Sequence, residues 1–302
     1  MSGRVTVIVN PAAGRGRGAR ALSAITSAFA GIGVTDIRTS ASKEDEGAIA
    51  RRAIDEGATT IVACGGDGTW GNVAHALLSS GAADTVRLGL VAAGTGNDFA
   101  KTVGAPANDP VATAQLVAEG REARVDVGRI EDHYFLNICG FGFDIAVLED
   151  IKNIPLLKGD AVYIASALRQ IIGYGGVDID IASAAGRRGA MRHLMLVVAN
   201  ARNFGGAFKI APHASLTDGA LDAISIHDAS AWRRLRLFGA AGKGGHIAEP
   251  EVRVEQASSF TVHFAEPPAY ETDGEYRRGL SPDIQIDCLP GALRVVTGAT
   301  VP

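Results

Sequence analysis

A Rossmann-like α/β domain with a parallel sheet, followed by a mainly antiparallel β-sandwich, is the fold that this 302-residue sequence predicts. Three observations predict it. β-branched runs alternate with alanine-rich helical stretches through about the first 126 residues, three of those runs lead directly into glycine-rich turns, and strand-like segments dominate from Asp126 onward. Strands separated by helices imply βαβ crossovers and a parallel sheet covered on both faces.

Val5 to Val9, Thr60 to Ala63 and Leu88 to Ala92 are short, apolar and rich in β-branched residues, so they read as buried strands. Ala19 to Ala30, Asp45 to Glu56, Trp70 to Ser79 and Val111 to Glu119 read as helices. Beyond Asp126 the strand-like pieces are Val125–Arg129, Tyr134–Cys139, Val177–Ala182, Met191–Ala199, Leu221–Ile226, Phe260–Phe264, Ile284–Asp287 and Leu293–Thr297. Glycine-rich or polar turns separate most of them, the pattern of a mainly antiparallel domain. Gly159–Gly173 and Ser230–Gly239 are the helix-like exceptions. The expected division is 1–126 for the α/β domain and 127–290 for the second, with 291–302 returning to the first.

Apolar residues make up 47% and charged residues 21% of the chain, an ordinary globular composition. A net charge of −4 provides no global attraction for nucleic acid or for an anionic membrane, so any membrane contact must be local. Cys64, Cys139 and Cys288 lie far apart without metal-ligand spacing, which suits a reduced, cytoplasmic protein. The seven histidines show no zinc spacing either. The apolar run before Asn10 is too short for a signal-peptide core, and no stretch approaches the ~18 apolar residues of a membrane span.

The three glycine-rich turns carry the chemistry. They are Asn10-Pro11-Ala12-Ala13-Gly14-Arg15-Gly16-Arg17-Gly18, then Gly65-Gly66-Asp67-Gly68-Thr69, then Ala93-Gly94-Thr95-Gly96-Asn97-Asp98-Phe99. Strand ends in an open parallel sheet are where loops and helix N-termini gather around ligands. Glycine lets backbone amides approach phosphate oxygens, and a following helix adds its positive end. The first turn misses the Gly-x-Gly-x-x-Gly spacing of a dinucleotide turn, and no Gly-x-x-x-x-Gly-Lys-Ser/Thr is present. Each turn alone reads equally well as a tight turn and nothing more.

Taken together, these segments resemble the diacylglycerol kinase catalytic-domain family, which includes bacterial lipid kinases and the sphingosine and ceramide kinases. The Gly-Gly-Asp-Gly-Thr element at 65–69 is shared with NAD kinases and phosphofructokinases, whereas Gly94-Thr95-Gly96-Asn97-Asp98-Phe99 favours the lipid branch. The resemblance continues through Phe135-Leu136-Asn137, Gly140-Phe141-Gly142-Phe143-Asp144, Asn200-Ala201-Arg202, Phe204-Gly205-Gly206, Ile210-Ala211-Pro212, Leu216-Thr217-Asp218-Gly219 and Asp273-Gly274-Glu275, and so spans nearly the whole chain. It implies an NAD kinase/diacylglycerol kinase-like fold and an ATP- and Mg²⁺-dependent kinase. The enzyme would phosphorylate a lipid hydroxyl at a membrane surface, most simply that of diacylglycerol to give phosphatidic acid for phospholipid synthesis.

By the same resemblance, Asn10, Pro11, Ala12, Ala13, Gly14, Thr39, Gly65, Gly66, Asp67, Gly68, Thr69, Gly94, Thr95 and Asn97 line the ATP site, and Asp67 acts through Mg²⁺. Arg15 and Arg17 read either as phosphate-neutralising cations or as solvated loop residues. Glu275 is the candidate general base for the lipid hydroxyl. Asp218, with backbone carbonyls of Ser215 and Ala220, matches a structural metal position, the bland alternative being an Asx-turn at Asp218-Gly219. One departure stands out. After Gly-Gly-Asp-Gly-Thr the family usually continues with an aliphatic residue, Asn, Glu and Val, but this chain reads Trp70-Gly71-Asn72-Val73, so the glutamate is absent.

Two segments suit peripheral membrane contact. One is Gly159–Gly173, with Val162, Ile164, Ala165, Leu168, Ile171 and Ile172. The other is Ala231–His246, where Trp232, Leu235, Leu237 and Phe238 alternate with Arg233, Arg234, Arg236 and Lys243. Both also read as amphipathic core helices. A sphingoid-base or phosphatidylglycerol kinase, an NAD kinase-like phosphotransferase and a non-catalytic nucleotide- or lipid-binding regulator stay open as alternatives. A homodimer is an expectation that no residue motif reports on.

Overall fold

The structure is a computed structural model that describes residues 3–42, 45–151 and 160–301, with backbone alone for 160–164. It divides into two compact units. The first takes the chain up to Val127, together with Ser215–Gly219 and the segment from Leu289 onward; the second takes Gly128–Ala214 and Ala220–Cys288. The short Ser215–Gly219 excursion into the first unit has no counterpart in the sequence reading.

In the first unit, β1 (Arg4–Val9), β2 (Ile37–Thr39), β3 (Ala58–Gly65) and β4 (Arg87–Ala92) form a parallel sheet in the order β4-β3-β1-β2. The helices are α1 (Ala13–Ala30), α2 (Asp45–Asp55), α3 (Asp67–Ser79), α4 (Asp98–Thr102) and α5 (Pro110–Glu119). Val5, Val7, Val9, Val62, Cys64 and Val91 alternate along the strands and pack with Ile25 and Phe29 of α1 and Ala114 and Val117 of α5. α2 packs against α3. The chain leaves β1 towards β2 but returns to place β3 on β1's other side. The strand order therefore reverses between β1 and β3, which makes their carboxyl ends the topological switch point where ligands of open α/β sheets bind. Residues 289–296 at the end of the chain join this sheet, with Val295 opposite Leu88.

Helix α1 starts earlier than the apolar pattern predicts, but Gly14, Arg15 and Gly16 lie in the left-handed region (φ 57°, 59° and 84°) and break it. Regular helix begins only beyond them.

The remaining elements are β5 (Glu122–Ile130), β6 (His133–Phe135), β7 (Ile138–Gly142), α6 (Phe143–Ile151), α7 (Asp160–Gly173), β8 (Val177–Ser183), β9 (Gly186–Arg187), β10 (Met191–Ala199), β11 (Leu221–His227), α8 (Ala231–Ala241), β12 (Val252–Ala257), β13 (Ser259–His263), β14 (Ala269–Thr272), β15 (Glu275–Arg278) and β16 (Asp283–Val296). The second unit is an antiparallel sandwich. One sheet runs β15-β14-β7-β10-β11-β12, and β8, β13 and the first half of β16 pair in the other.

Two cores flank the first of these sheets. Cys139, Phe141, Leu196, Val198, Leu221 and Ala223 face Ile181, Phe260, Val262 and Ile286 of the other sheet. The alternate residues Ile138, Val197, Ala199, Ile224 and Ile226 face Phe143, Val147, Ile171 and Leu237 from the three helices. A strand buried on both faces needs an unbroken apolar run, and Leu194 to Ala199 supplies one.

Three sequence expectations change here. Phe143–Ile151, assigned to no element from the sequence, is helix α6. Tyr134–Cys139 is two strands, separated at Leu136-Asn137. Ile284–Asp287 and Leu293–Thr297 belong to the single long strand β16, which passes through Pro290-Gly291.

Candidate functional site

In the first unit, the predicted loops meet at the switch point. Asn10 follows β1, and its backbone N–H donates to the Cys64 carbonyl of β3 (3.0 Å). Its side-chain Oδ1 accepts from the amides of Ala12 (2.9 Å) and Ala13 (3.1 Å), while Nδ2 donates to Thr69 Oγ1 on α3 (3.0 Å). One asparagine thus shapes the first loop and ties it to the second.

At their closest approach the second and third loops meet glycine against glycine. A Cβ on Gly94 would stand 2.4 Å from the Gly66 Cα and 2.6 Å from Asn97 Oδ1; one on Gly66 would stand 2.8 Å from the Gly94 Cα. The amides of Ala93 and Gly94 both donate to the Gly65 carbonyl, at 2.7 and 2.9 Å. Arg17, read as either a phosphate ligand or a solvated residue, donates to the Gly94 carbonyl and to Thr95 Oγ1, so it bridges the first and third loops.

Asp67 opens α3, and its Oδ1 accepts from the Phe99 amide at the start of α4 (3.1 Å). Burial and the nearby Asp98 carboxylate raise its pKa above the ordinary aspartate range, with burial the larger cause. Asn97 adopts a left-handed conformation (φ 54°) and donates to the Gly94 carbonyl, while its buried Oδ1 has no hydrogen-bond partner. Thr39, Gly68 and Thr95 are exposed, and Pro11, Ala13, Gly14 and Gly66 are half-buried. These features fit a phosphate group and its cation: backbone amides held close by glycine, an unsatisfied acceptor, and a carboxylate whose pKa is raised by burial.

The departure after Thr69 has a structural resolution. Trp70 is fully buried, and its indole N–H donates to the Ala63 carbonyl (3.0 Å). Asn72 Nδ2 donates to Glu46 Oε2 (3.2 Å), and Glu46 Oε1 accepts from Ser40 Oγ (3.2 Å). A buried carboxylate from α2 therefore lies against the helix position where the family usually has its glutamate.

In the second unit, the motifs converge on one corner. The Asp273 carboxylate accepts the amides of Leu136 (2.7 Å), Asn137 (2.8 Å) and Ile138 (3.0 Å). Asn200 Nδ2 donates to the Leu136 carbonyl, and the Asn137 carbonyl accepts the amides of Asn200 and Ala201. Asp273 (φ 50°) and Gly274 (φ 87°) form the two-residue connection between β14 and β15, as a tight hairpin with two left-handed residues requires. Glu275 follows as the first residue of β15, with 24% of its side chain exposed and Arg277 3.9 Å away.

Glu271 of β14 is fully buried, and its Oε2 accepts the Gly274 amide (2.5 Å). Burial and the Asp144 charge hold its carboxyl well above the ordinary range. Neither Glu271 nor Asp144 was singled out from sequence as a site residue.

Asp218 is exposed. Nearby, the buried Asp126 accepts the amides of Gly219 and Gly291, each at 2.7 Å, and stitches the Ser215–Gly219 excursion to the C-terminal segment. Ser215 Oγ lies 3.3 Å from both the Thr217 amide and its hydroxyl. Among the described residues no group of three or more His, Cys, Asp or Glu side chains is placed to hold a metal. Elsewhere in the first unit, a 590 Å³ cavity lies at the amino ends of the strands, lined in part by Gly3, Thr59, Arg87, Glu122 and Arg294, and contains none of the predicted residues.

Comparison with known proteins agrees with this arrangement. Residues 4–130 match the diacylglycerol kinase catalytic domain, and residues 137–297 match the YegS C-terminal NAD kinase beta sandwich-like domain. A diacylglycerol kinase of Mycobacterium tuberculosis is 29% identical, covering 97% of this chain and 95% of its own length. One of Bacillus subtilis is 27% identical, covering 90% of each. A crystal structure of a diacylglycerol kinase from Bacillus anthracis superposes with a TM-score of 0.78 at 23% identity, over 99% of this chain and 98% of the other, and shows the shared fold.

Proposed function

This chain belongs to the diacylglycerol kinase catalytic-domain family, in the branch that carries a YegS-type C-terminal domain, and from that premise we propose that it transfers the γ-phosphoryl group of ATP to the hydroxyl of diacylglycerol. The observation that carries this reading is the glycine-to-glycine contact of Gly66 with Gly94 at the switch point. That contact leaves two βα corners stripped of side chains exactly where a triphosphate needs backbone amides. Asn10, Ala12, Ala13, Gly14, Gly65, Gly68, Thr69, Thr95 and Asn97 would border the nucleotide, and Arg17 would hold the first and third loops around it.

Asp67 would hold the Mg²⁺ of the nucleotide, through water where the ion keeps its hydration. A divalent cation bound there supplies charge to offset the phosphate oxygens. Its presence would also favour the ionised form of a carboxyl that burial otherwise penalises. Asp218, with carbonyls of Ser215 and Ala220, would form a separate structural cation position.

Glu275 would accept the proton of the acceptor hydroxyl. The support for this role is its rigid mounting: it follows directly on a turn fixed by Asp273 and Glu271. A positioned base contributes ~10²–10⁴ in rate.

No described helix is long and apolar enough to cross a membrane. Peripheral contact would fall to α7 and α8, where Leu168 (45% exposed), Ile172 (77%), Trp232 (74%) and Leu235 (41%) face solvent. The arginines of α8 take a different part from the one the sequence suggests. Arg233 and Arg236 pair with Glu249 and Glu251, and Arg234 is buried against the Ile171 and Tyr174 carbonyls. The docking face is therefore apolar rather than basic. Val162 and Ile164 lie outside the residues whose side chains are described.

The test is transfer of radiolabelled phosphate from ATP to diacylglycerol, a sphingoid base, phosphatidylglycerol and NAD. Labelled phosphatidic acid that disappears in Glu275→Ala, with nucleotide binding retained, is the expected result. Preferential labelling of NAD, or of a different lipid, would overturn the acceptor assignment.

A further inference from the structure

Gly140 of β7 lies beneath two carboxyl groups. A Cβ there would stand 1.9 Å from Asp144 Oδ2 and 3.3 Å from Glu271 Oε1, so both oxygens crowd one point that only glycine leaves open. Asp144 is 7% exposed and Glu271 0%, and among the described residues neither of these two oxygens has a hydrogen-bond donor. Their other oxygens are engaged: Asp144 Oδ1 accepts the Ile145 amide, and Glu271 Oε2 accepts the Gly274 amide.

Two ionised carboxylates cannot share such a place. Like charges in a water-excluded site force one group to keep a proton. Among the described residues no cation donates to either of these two oxygens. The titratable neighbours are Cys139 on β7, Asp273 in the turn and Tyr174 beyond α7, whose own pKa values or charges register Asp144 or Glu271; Cys139 and Tyr174 are themselves pushed upward by burial. Arg192 and Arg234 act on Tyr174 rather than on the pair.

We propose that Asp144 and Glu271 share a single proton between Oδ2 and Oε1, and that this pair is a positioning device which sets the β14–β15 turn, and so Glu275, through the Glu271–Gly274 bond. The inference rests on the reading of Glu275 as general base for its functional consequence, but the proton-sharing itself does not. The chain of contacts is short. The proton fixes the Glu271 carboxyl against Asp144, that carboxyl holds the Gly274 amide, and Glu275 is the next residue. Burial raises both groups, Asp144 to about 7, so the shared proton is held on the acid side of neutrality and is lost as pH rises.

The experiment compares Glu271→Gln, Glu271→Ala and Glu275→Gln in lipid phosphorylation and in thermal unfolding from pH 5 to 8. Glutamine can accept the Gly274 amide through its oxygen and donate an amide hydrogen to Asp144, so Glu271→Gln should keep kcat within a few-fold of the parent. It should also lose the decline in melting temperature that the parent shows as pH rises through 7. Glu271→Ala should lose kcat by ~10²-fold at unchanged KM for ATP, the scale of a roughly 1 Å misplacement of a reacting group. Glu275→Gln should lose turnover yet keep the parent's melting profile. A Glu271→Gln protein with the parent's pH profile would overturn the shared proton, and a Glu271→Ala protein with the parent's kcat would overturn the positioning role. Full turnover by Glu275→Gln would instead remove Glu275 from the mechanism and leave the proton-sharing standing.

Discussion

Replacing Gly94 with alanine tests the nucleotide cradle most directly. The added methyl would sit 2.4 Å from the Gly66 Cα, 2.6 Å from Asn97 Oδ1 and 3.1 Å from the Gly66 amide nitrogen. Two of those three atoms are backbone, so no flexible side chain can swing away, and the β3–α3 and β4–α4 corners must part. Overpacking of this kind costs about 1–3 kcal/mol. If the strain is relieved by opening the cradle, nucleotide affinity falls by about 5- to 150-fold, at 1.4 kcal/mol per tenfold. The control is Gly71→Ala. Gly71 lies inside α3 with nothing within 4 Å of an added methyl. Alanine there should be neutral or stabilising by up to ~1 kcal/mol through helix propensity. Calorimetric titration with a non-hydrolysable ATP analogue, alongside thermal unfolding, reads both variants. Parent-like affinity in Gly94→Ala would refute the proposal that these two glycines form the phosphate seat.

Three further outcomes are expected. Asp273→Ala removes an acceptor that serves three backbone amides, so urea unfolding should show a loss of about 3–9 kcal/mol, at roughly 1–3 kcal/mol for each donor left unpaired; a loss below 1 kcal/mol would mean water replaces the carboxylate. Asp36, held down to about 2 chiefly by the Arg38 guanidinium, has a folded pKa below its unfolded value, so its contribution is present above pH 4 and fades as pH falls towards 2. Asp36→Asn should therefore lower the melting temperature near neutrality and flatten part of the acid limb, the two profiles converging as pH falls towards 2. Trp232→Glu should weaken binding to diacylglycerol-containing vesicles about 10-fold or more, since burying a large apolar side chain is worth roughly 1.5–3 kcal/mol, while Arg236→Glu should act mainly by breaking its pair with Glu249.

What was legible in the sequence was local. A glycine-rich turn after a β-branched run announces a strand end within a few residues, and the three such turns lie together at the switch point because the strand order requires it. The partners of those turns were not legible, because they come from elsewhere in the chain. Asn72 meets Glu46 from another helix, 26 positions earlier, so the missing glutamate looked like a loss until α2 was seen to bring a carboxylate to the same place. Asp126 clasps residues 93 and 165 positions away, and no periodicity reports such a clasp. Helix α6 escaped notice because Phe143–Ile151 is apolar on nearly every side, as a helix covered by both a sheet and neighbouring helices must be.

The two units solve a common problem in opposite ways. On the proposed mechanism each unit must hold a turn rigidly, the first for the nucleotide and the second for the base. In the first unit the charge arrives with the ligand, so the turns present backbone donors and one carboxylate that burial keeps uneasy without a cation. On the same proposal the turn of the second unit carries a usable negative charge at Glu275. Its supports are therefore acidic: Asp273 and Glu271 each bind backbone amides, and the cost of placing a further acid at Asp144 is met by a shared proton. Had lysine or arginine supplied that support, it would have added a second cation beside Glu275, next to Arg277 at 3.9 Å, and weakened it further as a base. Backbone amides hold the turn without doing so, and on that reasoning converting Glu271 to lysine should damage turnover more than converting it to alanine, even where the fold survives.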